Sequence, residues 1–422
     1  MKSFSGIFQI AFPSALVLLL TAVATADDYA YSGLDSGKYV LSDKEVAGAT
    51  ILNAKSLNVD LFAGATYLYD SNTTQQPNGE SAHVGIVDFG FNILSGNPNT
   101  RGGFYGFDYV GQAFFYENSA QQFGRDTLEH SLGAFVGVNG GKTRIRADVD
   151  YLRNNGNSID FDNVNRETRR APSHDFDFDV DVRRMLDHGS LEAGAGYVLR
   201  DFDSGSGLND QDSVYGDLAW YFQPGFAPKT SLGFGFRGGE DDFSNNFSQT
   251  FYTPSVRARY RLSGKTSFNG SVGYEFRDVD GPGATDTEGT VFNGGMSFTP
   301  SPKTGFDLTF YRNNRPSYVT TGQDVNSTGT ALRMTQRLPA QFTLRSSVGY
   351  ENADYTNVVA GPASLREDNF WRFQTSLSHP LRIARGLNGD VSVFYHYNEN
   401  DSTLVFTEFD QHIVGFRVGL LY

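Results

Sequence analysis

A chain of 422 residues with a net charge of −14 and no cysteine has no general affinity for nucleic acid, and it carries no disulfide or thiolate chemistry. Its 36 phenylalanines, 22 tyrosines and 47 glycines sit in a sequence that is hydrophilic on average. After the leader no apolar run approaches the ~20 residues of a membrane-spanning helix.

Residues 1–26 read as a secretory signal peptide. Lys2 gives a positive start, Ile10 to Val23 is apolar and broken by Pro13, and Ala24-Thr25-Ala26 is a small-x-small cleavage site. The alternative, a single membrane anchor, lacks both the length and the stop-transfer charges. Residues 27–56 show no clear period and are read as a periplasmic N-terminal segment that leads into the barrel or tucks into its lumen.

From Leu57 the pattern changes. Val59, Leu61, Ala63, Ala65, Tyr67 and Tyr69 share one face, with Asn58, Asp60 and Thr66 on the other. Period two is the signature of a strand whose faces meet different surroundings. Comparable segments recur to the last residue, giving about 18 strands of ~10–14 residues, with 16 or 20 one hairpin away. Tight links such as Asn139-Gly140-Gly141, Asp187-His188-Gly189, Ser263-Gly264-Lys265, Ser301-Pro302-Lys303 and Pro339-Ala340-Gln341 alternate with long polar ones. The long ones include 154–172, 240–249, 278–287, 352–367 and 399–410. These features predict an all-β fold, a transmembrane antiparallel up-and-down β-barrel over 57–422. An even strand count puts both termini on one side, expected to be the periplasm. A soluble solenoid or propeller is the structural rival, but no fixed repeat recurs.

The chain ends QHIVGFRVGLLY, with Val414, Phe416, Val418, Leu420 and Tyr422 on one face and Gly415, Arg417 and Gly419 between them. A last strand with an apolar outer face and a terminal aromatic suits a barrel that closes on its first strand in lipid. Phe416, Val418, Leu420 and Tyr422 are similar to the carboxy-terminal signal read by the barrel-assembly machinery of bacteria.

The opposite faces predict the lumen. With Ile145, Ala147, Val149 and Tyr151 outward, Arg144, Arg146, Asp148 and Asp150 turn inward. The run SHDFDFDVDVRR places Asp175, Asp177, Asp179 and Asp181 on the same inner wall, and further round Arg257, Arg259, Arg261, Arg333 and Arg337 follow. Charge on the lipid side would cost about 2–4 kcal/mol per residue near the midplane, so this register is strongly favoured. The simpler account of these charges is solvation and cross-strand pairing in a wet interior. The sharper one is an arginine-guided path for an anionic or hydroxyl-rich solute. Alternate strand residues lie ~7 Å apart, too far for the aspartates to wrap a calcium ion by themselves. Trp220 and Trp371 read as interface aromatics, and Tyr215, Tyr221, Tyr311, Phe370 and Phe394 as an inward aromatic set able to meet sugar faces.

The seven histidines are scattered and neither GxSxG nor HExxH occurs. His396 with loop carboxylates is what an enzyme reading would have to use, and a turn or lumen histidine is the simpler account. We therefore expect no catalytic set, metal or cofactor.

The leader, strand number, turn pattern, aromatic end and acidic Asn/Gly-rich loops resemble the beta-barrel porin family of exopolysaccharide operons in Gram-negative bacteria. That resemblance implies an outer-membrane conduit for a secreted polysaccharide, working with a separate periplasmic polysaccharide-export protein. The alternatives are a general or solute-selective uptake porin and a structural or adhesin barrel whose loops bind a partner. Outer-membrane lipid is the surrounding expected in every case, and no reading involves nucleic acid.

Overall fold

The computed structural model describes residues 57–117, 128–156, 171–204, 207–244, 247–281, 283–318, 323–357, 366–384 and 387–422. Residues 1–26, expected as a signal peptide, the expected periplasmic segment 27–56 and most of the 154–172 connection lie outside them. The strands are β1 (Leu57–Asp70), β2 (Ala82–Ser95), β3 (Gly102–Tyr116), β4 (Leu128–Asn139), β5 (Thr143–Asn154), β6 (Ser173–Leu186), β7 (Gly189–Phe202), β8 (Gln211–Phe222) and β9 (Thr230–Phe243). They continue as β10 (Ser248–Ser263), β11 (Thr266–Asp280), β12 (Thr287–Ser301), β13 (Thr304–Pro316), β14 (Gln323–Arg337), β15 (Thr343–Asn357), β16 (Glu367–Ala384), β17 (Leu387–Ser402) and β18 (Phe409–Leu421).

Each strand pairs antiparallel with its sequence neighbours, and β18 pairs with β1, which closes an 18-stranded barrel. The closing register runs from Phe62 opposite Leu421 to Asp70 opposite Ile413. Beyond it, Leu61 and Tyr422 exchange backbone hydrogen bonds of 2.9 and 2.8 Å, so the chain end is pinned as well. Closure leaves no open sheet edge, which a lipid-immersed sheet requires.

Short connections such as 187–188, 264–265 and 302–303 gather at one rim, and the longer ones at the other. The even strand number brings Leu57 and Leu421 to the short-turn rim. Gly141 takes the positive φ of its turn (91°), but at 338–342 Ala340 and Gln341 adopt φ of 56° and 66° without glycine. Several polar stretches expected as loops are strand instead: Glu240 to Phe243 extends β9, Asp278 to Asp280 extends β11 and Glu399 to Ser402 extends β17. Ladder bonding continues above the lipid, where both faces meet polar surroundings and alternation no longer marks a strand.

The outer surface carries the apolar rows. Val414, Phe416, Val418, Leu420 and Tyr422 are all exposed, as are Trp220, Trp371, Val256, Val272, Phe234 and Phe236. Such a belt is insoluble in water and matches a hydrocarbon layer, so the barrel is a membrane-spanning one.

The seam is clasped from inside. Arg417 on β18 bonds Asp88 on β2 (2.9 Å), passing over β1, and the Asp88 side chain is only 3% exposed. It crosses at Gly64, where an added Cβ would stand 2.5 Å from Asp88 Oδ2. Gly64→Val should therefore break the clasp and strand a buried charge. The expected loss is about 3–5 kcal/mol, measured as a lower midpoint for urea unfolding in lipid vesicles.

Candidate functional site

Adjacent strands lie ~4.8 Å apart, so side chains can bond across two or three strands only on the concave inner wall. Arg259 on β10 reaches Glu192 on β7 with two bonds of 2.8 and 2.9 Å, and Arg257 on β10 makes a two-pronged pair with Asp217 on β8. Gly235 on β9 lies directly under the Arg257 guanidinium. Arg259 also stacks on Tyr221 at 4.0 Å. These contacts lie on the inner wall, and they change the meaning of the run. The Arg257 side chain is 4% exposed, so two of the three arginines expected to guide a solute are held by carboxylates, and only Arg261 is open. Their partners lie 40 and 67 residues away in sequence, where no local pattern could reveal them.

The aspartate ladder is present on β5 and β6. Arg146 bonds Asp148 and stacks on Phe135 at 4.6 Å, while Arg144 stands 5.7 Å from the Phe104 ring. Asp150 faces Asp177 across the strand pair, and Asp148 faces Asp179. Asp175 accepts from Arg200 at 2.9 Å and Asp179 from the Tyr215 hydroxyl. Asp181 stands over Gly194. Asp150 is exposed, and Arg144, Arg146, Asp148, Asp175, Asp177, Asp179 and Asp181 are partly exposed, unlike the buried inner residues nearer the long-loop rim. Arg333 and Arg337 occupy the inner face of β14, about half a turn of barrel away, near Arg345 on β15 and Arg372 on β16. The open lumen thus has a carboxylate wall and, roughly opposite it, an arginine-bearing wall.

The long-loop half is narrowed from two sides, which the sequence did not announce. On one side the chain leaving β13 swings inward. Tyr318 crosses to β8, where its hydroxyl donates to Gln211 Oε1 (2.5 Å) and its carbonyl accepts from Asn209 N and Nδ2 (3.0 and 3.1 Å). The ring packs edge-on against Phe202 at 5.8 Å and lies 5.2 Å from the Arg200 guanidinium. Behind this strap is a buried polar network. Arg277, 2% exposed, donates to Asp241 (3.0 Å), Gln249 (2.8 Å), Glu275 (3.0 Å) and the Asn314 carbonyl (3.2 Å). Gln249 and Thr287 in turn donate to Asp324 at 2.8 and 3.0 Å. Buried charge is tolerable there because each guanidinium N–H meets an acceptor.

On the other side Leu68, Val84, Ile86, Phe114, Phe370, Phe409 and Ile413 form an apolar cluster on the inner wall. Beside it the connection after β1 folds inward: Gln75 donates to Gln411 (3.3 Å), and Gln411 donates to both Asp70 oxygens (2.8 Å each). A signal for this cluster was available. In Tyr67-Leu68-Tyr69 and Ile413-Val414 both faces are apolar, which breaks the alternation.

The inward aromatics have other duties. Tyr215 bonds Asp179, Tyr221 supports Arg259, Tyr311 donates to Glu351 (2.8 Å), Phe370 belongs to the apolar cluster and Phe394 packs against it. None of them forms a track presented to a sugar. His396 faces inward beside Phe394 at 5.1 Å between ring centroids, whereas His83, His130, His174 and His412 face outward.

Fold and wall together define a membrane-spanning β-barrel with a charged interior that is constricted at its long-loop end. No protein-family model and no curated protein matches the chain, so the resemblance to the exopolysaccharide-operon family gains no support. Solved structures similar to it include Pseudomonas aeruginosa OpdK with vanillate, 14% identical over 87% of this chain and 99% of that one, with a TM-score of 0.46. Acinetobacter baumannii OccAB2 is 13% identical over 87% and 98%, with a TM-score of 0.47. A BenF-like porin from Pseudomonas fluorescens Pf-5 is 14% identical over 87% and 98%, with a TM-score of 0.44. At these levels no residue of theirs is carried over to this chain.

Tyr318→Ala removes the ring and hydroxyl that hold the strap against Phe202, Arg200 and Gln211, leaving the carbonyl bonds to Asn209, without touching the barrel ladder. It should raise single-channel conductance in a planar bilayer while leaving the heat-shifted electrophoretic mobility of the folded barrel unchanged.

Proposed function

We propose that this chain is an outer-membrane channel for small polar or charged solutes, a solute-selective uptake porin rather than a polymer conduit. The observation that carries the proposal is the shape of the interior: a closed barrel wide enough for water, narrowed at its long-loop end by the Tyr318 strap and by the inward-folded connection after β1. A bore restricted in this way favours solutes the size of a monomer. Export of an exopolysaccharide was the first expectation from sequence. It would call for a continuous aromatic or hydroxyl-binding track, and the inner aromatics are committed elsewhere.

Selectivity in this reading belongs to the β5–β6 carboxylates Asp148, Asp150, Asp175, Asp177, Asp179 and Asp181. They act against the arginines of the opposite wall, Arg333 and Arg337 foremost. Charged rings in a narrow aqueous path set which ions and solutes enter. The short-turn rim, which holds both ends of the barrel, would face the periplasm, and the longer connections the exterior. Phe416, Val418, Leu420 and Tyr422 would serve the barrel-assembly machinery, consistent with their free outward positions on the closing strand.

The test is ion selectivity. Replacing Asp150, Asp177 and Asp181 with asparagine should move the zero-current potential across a salt gradient toward anions, with little change in conductance at high salt. An unchanged potential would remove the ladder from the solute path.

A further inference from the structure

The outer rim carries a repeated device that the channel reading does not use. On seven hairpins an outward tyrosine of the odd-numbered strand bonds a polar residue on the next strand, the one paired two positions beyond it. Four partners are imidazoles: Tyr67 with His83 Nδ1 (3.0 Å), Tyr109 with His130 (2.7 Å), Tyr151 with His174 (2.8 Å) and Tyr395 with His412 (2.9 Å). The other three are Asp212 with Tyr197 (3.0 Å), Glu288 with Tyr274, and Asn369 with Tyr350 (2.6 Å). The register is the same each time, for example Tyr69 opposite His83, Leu199 opposite Asp212 and Asn352 opposite Asn369.

The two kinds of partner are not interleaved: the imidazoles occupy the consecutive hairpins β17–β18, β1–β2, β3–β4 and β5–β6, and the carboxylates and the amide occupy β7–β8, β11–β12 and β15–β16. In the tautomer where the hydroxyl donates to Nδ1, the imidazole proton sits on Nε2, a donor turned away from the tyrosine. A hydroxyl on a carboxylate leaves an acceptor that repels anions. The imidazoles therefore mark one arc of the rim, within which Glu399 accepts from Tyr397 and Asp410 stands beside His412.

Under the imidazole arc the apolar wall is indented. A groove of about 610 Å³ on the outer face is lined by Tyr67, His83, Val393, Tyr395, Val414 and Phe416 among others. It is continuous with the lipid-facing belt, and its head is closed by the Tyr67–His83 pair, with Tyr69 tilted over the same imidazole at 5.3 Å. His412 is the weaker donor of the two nearby, because its Nε2 already lies 4.0 Å from Asp410.

We propose that this groove is a lipid-binding site: one acyl chain lies along Val393, Val414 and Phe416, and an anionic phosphate headgroup accepts from His83 Nε2. The proposal rests on the membrane-spanning reading. Interface aromatics in general anchor a barrel at the headgroup level. Here the imidazole arc and the indented wall select one face and a phosphate headgroup.

The test is native mass spectrometry of the full chain released from detergent. The probes are dimyristoyl phosphatidylglycerol and dimyristoylglycerol, which share chains and differ in the phosphate headgroup. The wild type should retain phosphatidylglycerol in preference. His83→Ala should cut that retention roughly tenfold, as expected for one hydrogen bond to a charged group, and leave dimyristoylglycerol unaffected. Val414→Trp, which fills the groove, should abolish retention of both lipids, whereas Asn369→Ala, outside the imidazole arc, should change nothing. Equal retention of the two lipids, or indifference to both His83→Ala and Val414→Trp, would overturn the proposal. So would a second copy of the chain that Val414→Trp displaces, since the face would then be an interface between copies. Heat-shifted electrophoretic mobility confirms that each variant is folded. A wild-type chain that stays monomeric in water without detergent would sink the membrane-spanning reading itself.

Discussion

A sheet immersed in hydrocarbon has no water to satisfy its backbone, and each unpaired N–H or C=O would cost several kcal/mol. The β1–β18 ladder meets that demand for the whole molecule. Once it forms, every strand is paired on both sides, and the alternation of side chains becomes a sorting of inside from outside. The inward clasp of Arg417 on Asp88 over Gly64, and the exchange of bonds between Leu61 and Tyr422, strengthen the junction where the first and last strands meet. The aromatic residue at the chain end is thus part of the closure as well as of the lipid face.

Closure also fixes how the interior is built. An 18-stranded ring leaves a lumen too wide for side chains to fill from the walls alone. Charged residues on the inner face consequently lie flat against it, over glycines and aromatic rings, and reach partners two or three strands away. Arg257, Arg259 and Arg277 follow this pattern, and the result stiffens the β7–β11 sector. The narrowing itself comes from backbone that leaves the wall, at Tyr318 and at the connection after β1. The β5–β6 carboxylates keep part of their surface open along most of the wall's height, which places the ladder beside the remaining space.

The sequence revealed period more readily than pairing. Strand number, the direction of closure and the inward position of Arg144 to Asp150, Asp175 to Asp181 and Arg257 to Arg261 followed from period two, because lipid punishes a slip of one residue. Strand ends were less visible: beyond the lipid, at Glu240 to Phe243 and Glu399 to Ser402, both faces are polar and the period fades. The pairing of Arg257 with Asp217 and of Arg259 with Glu192 depends on strands brought together by the barrel, so the row read as a solute guide is in large part a brace. The strap at Tyr318 left no local mark at all. The apolar inner cluster did, through Leu68 and Ile413, in doublets that alternation alone would forbid.

On the proposed reading the interior is a water-filled path narrowed at its long-loop end to the size of a small solute. Swelling of liposomes carrying the purified barrel tests this, with amino acids, monosaccharides and oligosaccharides of increasing length in the outer solution. Rapid swelling is expected with the monomeric solutes, and a steep fall beyond them. Equal swelling with long oligosaccharides would contradict that reading, and would return the barrel to the class of polymer conduits.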